Sequence, residues 1–161
     1  MWQNLIDTLD KLGEVYDKLA TLGEKKRSAL VSINMEALAK TLDEEQLLAA
    51  KIQRLEKTRG ELLTKLSKTD ITINEATKAK DFYRLAPNLA VEKRLIQLHE
   101  RLGRNVNRAL TIRDNNQILT QCALNAVQVQ LNKIGGATIE PTYGNKGGGV
   151  VTHKKNFDFK A

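Results

Sequence analysis

The stretch from Leu95 to Lys133 reads LIQLHERLGRNVNRALTIRDNNQILTQCALNAVQVQLNK, and its periodicity decides what kind of fold this chain can have. Positions 95, 98, 102, 109, 112, 119, 123 and 126 carry Leu, Leu, Leu, Ala, Ile, Leu, Ala and Ala, an alternation of threes and fours. On a helix these form one seam, broadened on one side by Leu110, Leu124 and Leu131 and on the other by Val106, Val127 and Ile134. The same register puts Asn105, Asn116 and Gln130 into the seam, and its large hydrophobes fade from Leu to Ala along the way. Amides and small side chains among Ile, Leu and Val make an adaptable strip, where an all-leucine seam would lock. A helix anchored at its start and under-packed at its end suits the holding of another chain's helix. Amides in a seam also fix the register of a coiled coil, and that role is open to Asn105 and Asn116.

Upstream, two further amphipathic stretches have the right length to pack against this one. Trp2 to about Ile33 carries two heptad rows, Trp2, Leu9, Tyr16 and Leu30 in one and Leu5, Leu12, Leu19 and Ile33 in the other. Gly23 and Lys26 interrupt the rows, which predicts loosened packing near the end of that helix. Asn34 is a candidate N-cap for a second helix, with Glu36 favouring the positive end of its dipole. The second helix would bury Leu38, Leu42, Leu48, Ile52, Leu55, Leu62 and Leu66, and so short a connection predicts an antiparallel hairpin. Residues 67–88 are rich in turn formers, with room for a short helix over Glu75 to Arg84. Pro87 ends it, and Asn88 caps the third helix. The third helix runs to about Ile134, where Gly135 and Gly136 stop it. The expectation is an all-α fold: an elongated antiparallel bundle of three long helices over residues 1–134, with a flexible glycine-rich tail over 135–161.

Composition narrows the function. The 161 residues are 28% charged and only 4% aromatic, a balance suited to long helices. A single cysteine, Cys122, fits a reducing cytosol and reads as a small buried hydrophobe. No apolar run approaches the ~20 residues of a membrane span, and the N-terminus lacks the pattern of a secretory signal. Membrane insertion is not expected. The net charge of +7 admits nucleic acid. Arg94, Arg101 and Arg108 recur every seven residues with Arg104 nearby, but no aromatics interleave to stack bases and Glu92 and Glu100 dilute the ridge. That pattern reads as a solvated face or an ion-paired flank of the bundle, with a basic helical nucleic-acid-binding protein the less favoured alternative. His99 and His153 stand apart from each other and from Cys122, so no metal site is expected. No paired carboxylates or phosphate loop point to catalysis, and neither an enzyme nor a cofactor is expected.

With this layout the chain resembles the FlgN family of flagellar export chaperones. The resemblance covers nearly the whole chain. It rests on the opening Trp2-x-x-Leu5-Ile6, on Arg27-Ser28-Ala29-Leu30-Val31 followed by Asn34-Met35-Glu36-Ala37-Leu38, on Asn115-Asn116-x-x-Leu119, and on Thr142-Tyr143-Gly144-x-x-Gly147. The resemblance implies a cytoplasmic protein that binds the C-terminal amphipathic helix of hook–filament junction (hook-associated) proteins. It prevents their premature assembly and delivers them to the cytoplasmic domain of the type III export gate. The client would lie along Ile112, Asn116, Leu119, Ala123, Ala126, Val127 and Gln130, a helix-in-groove contact. Tyr143 would reach the gate. The competing class is a coiled-coil adaptor that only self-associates, and a homodimer is compatible with either.

Overall fold

The computed structural model describes residues 1–69, 77–139 and 151–153. Its compact units are Met1–Asn116 and Gln117–Ala161. Four helices follow in order: α1 (Trp2–Val31), α2 (Met35–Ser67), the short α3 (Ala79–Tyr83) and α4 (Leu89–Gly135). The three long helices stand where the apolar periodicity put them, and α3 occupies part of the expected short helix, whose first residues lie outside those described.

The signals that start and stop these helices act as local chemistry requires. The Asn34 side chain accepts from the Ala37 amide at 3.0 Å, and Asn88 accepts from the Val91 amide at the same distance. The turn between α1 and α2 is tighter than the heptad rows suggested. Helix α1 stops at Val31, and Ile33 leaves the helix with φ 54°, lying 79% exposed in place of closing a core row. The Asn34 amide reaches back to the Ala29 carbonyl and the Ile33 amide to Leu30, the paired hydrogen bonds of a Schellman ending.

In the first unit α1 and α2 pack as an antiparallel hairpin, with Lys26 and Glu45 joined at 2.9 Å across it. Helix α4 runs parallel to α1, because contacts advance together along both: Arg101 to Asp10 at 2.8 Å, Arg108 to Asp17 at 3.1 Å, Asn116 to Gly23 at 2.8 Å. The core is richest where the start of α1, the end of α2 and the start of α4 meet. Leu5, Leu9, Leu12, Leu62, Leu66, Leu95, Leu98 and Leu102 are buried there. Helix α3 closes this end with two aromatic residues, Phe82 against Trp2 (centroids 5.5 Å apart) and Tyr83 against His99 (5.7 Å). His99 is thus a hydrogen-bonded boundary residue, its Nδ1 3.2 Å from the Tyr83 hydroxyl. In the second unit, β1 (Ala137–Ile139) pairs antiparallel with β2 (Val151–His153), with Thr138 opposite Thr152. The sequence reading had no strand here, only a glycine-rich tail.

Candidate functional site

Helix α4 changes character part-way along. All five of its buried residues lie at or before Asn116. From Asn115 to Asn132 the chain has no Lys, Arg, Asp or Glu. A helix without charges ordinarily hides in a core, yet this one exposes Leu124, Val127 and Leu131, and Ile134 follows just past Lys133, each more than half accessible. Their three-four-three spacing puts the four on one ridge. Val127 and Ile134 therefore share a flank with Leu124 and Leu131 and do not lie on the opposite side of the seam, as the sequence reading had it. An exposed apolar ridge of this kind marks an interaction surface.

The residues expected to hold a partner divide into two groups. Ile112 and Asn116 are engaged inside the first unit. Asn116 is 2% exposed, and its side-chain nitrogen donates to the Gly23 carbonyl. The Ile112 side chain fills the space that Gly23 leaves: a Cβ at Gly23 would stand 2.6 Å from Ile112 Cγ2. Gly23 is therefore a point of close approach between α1 and α4, the reverse of the loosened packing its place in the heptad row suggested. Asn105 repeats the device, donating to the Gly13 carbonyl at 2.8 Å. The other five sit on the open part of α4. Leu119 is half-buried, and Ala123, Ala126, Val127 and Gln130 are exposed. Leu124, Leu131 and Ile134, which the seam reading placed at its margins, carry more of the accessible apolar surface. Their spacing gives the shared ridge, but that it stays uncovered is seen only in the fold. Tyr143 lies outside the described residues.

Other features carry no chemistry of their own. Cys122 is exposed, contrary to the expected buried position, because no neighbour among the described residues covers the helix face it occupies. In the arginine ridge, Arg101 and Arg108 are spent on Asp10 and Asp17, which decides for an ion-paired flank over a solvated face at these two positions. A groove of about 370 Å³ between α1 and α2 has Leu22, Leu47 and Leu48 in its lining with Lys18, Lys25 and Glu44 around them. Among the described residues no cluster of His, Cys, Asp and Glu could hold a metal ion, and no helix is long and apolar enough to cross a membrane.

A family profile described as FlgN protein matches residues 1–149. The chain belongs to the FlgN family. Searches of curated proteins and of solved structures found no match. FlgN-family proteins are flagellar export chaperones, and their clients are flagellar proteins. The matched region includes all of α1 to α4 and so the whole exposed ridge.

Proposed function

We propose that this FlgN-family chain is a cytoplasmic chaperone that holds the C-terminal amphipathic helix of a hook–filament junction protein along α4 between Leu119 and Ile134. It thereby covers a surface that would otherwise assemble early, and it uses no cofactor and catalyses no reaction. One observation carries the reading: the ridge of Leu124, Val127 and Leu131 lies open on a helical stretch without charges, and Ile134 continues it past Lys133. Each such side chain, already partly covered, would contribute about 1–2 kcal/mol on being fully covered by a client. Ala123 and Ala126 beside the ridge let a client backbone come close, and Gln130 offers a hydrogen bond that favours one register. Residues 1–134 serve as the chaperone body. Residues 135–161 form the tail, in which Tyr143 docks the loaded complex to the cytoplasmic domain of the export gate.

The test is a calorimetric titration of the full chain with a peptide of a client's C-terminal helix. A chaperone gives a stoichiometric complex, and Leu131→Asp weakens it by about tenfold or more while circular dichroism keeps its helical signal, because an unpaired charge in a desolvated contact is costly. An adaptor that only self-associates ignores the peptide. Tyr143→Ala should leave the client titration unchanged and weaken binding of the loaded complex to the gate domain. Equal loss in both titrations would remove Tyr143 from the docking role.

A further inference from the structure

Helix α2 buries only Thr41, Leu62 and Leu66 among its 33 residues, so nearly all of its charge pattern faces outward. Along one exposed face, Glu36, Lys40, Asp43 and Leu47 follow at spacings of four, three and four. Arg54, Thr58, Glu61 and Lys65 repeat the same spacings further on, again all exposed. The two sets are complementary when one is read backwards. A two-fold axis turns a helix antiparallel to its copy, and every contact it makes occurs twice. With the axis between Ala50 and Lys51, near the middle of α2, Glu36 meets Lys65 of the second copy and Lys40 meets its Glu61. Asp43 then meets Thr58, and Leu47 meets Arg54.

We propose that this face of α2 is the contact surface for a second copy of the same chain, packed antiparallel about that axis. The charges themselves supply a second observation. Glu36 and Lys40, like Glu61 and Lys65, have the four-residue spacing that favours ion pairs within a helix. Neither pair forms one, and among the described residues none of the six charges on the face has an ion-pair partner. By contrast, charges that reach neighbouring helices are paired, as in Lys26–Glu45, Asp10–Arg101 and Asp17–Arg108. At the centre Leu47, 73% exposed, gains the aliphatic stem of the facing Arg54 as cover, and Ala50 allows close approach at the axis. A parallel, in-register copy would set each charge against itself, so the pattern selects the antiparallel arrangement. Exposed ion pairs are individually weak and screened by salt, so the dimer is weak and salt-sensitive.

The inference rests on α2 alone and stands whether or not α4 holds a client. Sedimentation velocity of the full chain over a concentration series, at low salt and at about 0.5 M salt, tests it. The expected result is a monomer–dimer equilibrium that shifts toward monomer in high salt. Lys40→Glu places a carboxylate opposite Glu61 of the second copy and raises the dissociation constant by about fivefold or more. Adding Glu61→Lys to Lys40→Glu restores the dissociation constant to within about twofold, although each change alone disrupts. Leu131→Asp leaves dimerisation unchanged. A chain that stays monomeric throughout overturns the proposal. So does a double variant no better than Lys40→Glu alone, or loss of the dimer in Leu131→Asp, which would move the contact to α4.

Discussion

At the scale of single residues, glycines with opposite surroundings give opposite expectations. Gly23→Ala gains helix propensity but drives a methyl into Ile112, a β-branched side chain with little freedom to move. The net effect should be a loss of about 1–2 kcal/mol in a urea unfolding series. Gly60 has open space around its missing Cβ, so Gly60→Ala should raise stability by about 0.5–1 kcal/mol. Asn116→Ala should cost about 1–2 kcal/mol by removing the buried amide that serves the Gly23 carbonyl. Client affinity measured at saturating fold should barely change. Tyr83 gives the chain an alkaline weakness. Burial pushes its phenol above the usual value, against a smaller pull downward from Arg59. The folded chain therefore keeps the Tyr83 proton to higher pH than the unfolded chain does. The stabilisation is complete below the unfolded value of about 10 and is lost as pH rises through the raised folded value. Tyr16 is shifted the same way by burial and by Glu56, opposed by Arg59, so it adds to the effect. Unfolding free energy should fall above about pH 10, and fall less steeply in Tyr83→Phe than in the parent chain.

At the scale of elements, Ile33 is a strained stop signal. A β-branched residue at φ 54° occupies the left-handed position that a helix ending of this kind usually gives to glycine. Ile33→Gly should raise the melting temperature, with a gain of about 1 kcal/mol. A drop would mean that the exposed Ile33 side chain supports the hairpin in some other way. Much of the element layout was legible from the sequence, and the reason is local. Asn34, Pro87, Asn88 and the Gly135–Gly136 pair act on their own neighbours, and heptad rows report a helix wherever it goes. What was not legible needed knowledge of the opposing surface. A glycine in a heptad row means either a gap or a close approach, and only the positions of Ile112 and Asn116 decide for Gly23. A polar residue in a seam likewise serves the chain's own helix or another's. Asn105 and Asn116 turn inward because Gly13 and Gly23 leave carbonyls within reach. The open part of the site was visible as a fading seam, but its centre moved to Leu124, Leu131 and Ile134, since nothing in the spacing says which flank of a helix stays uncovered.

At the scale of the whole molecule, α4 is one helix with two kinds of support. Backbone amides of residues 95–116 belong to a buried core, whereas those of 117–135 sit on a stretch without a buried residue. Hydrogen exchange should therefore be slower in the first stretch, and a client peptide should slow the second selectively. Uniform protection along α4 in the free chain would contradict this. The amide bonds to the Gly13 and Gly23 carbonyls have a further consequence for how a signal can travel. Asn105 and Asn116, with Arg101 and Arg108 between and beside them, engage α1 at four places in step. Sliding α4 by one helical turn would break all four together and carry Ile112 off the hollow at Gly23. A helix held like a key in its wards does not act as a piston. Whatever binding does at the open end of α4, it reaches the buried end as a change in stiffness, with the register left as it was.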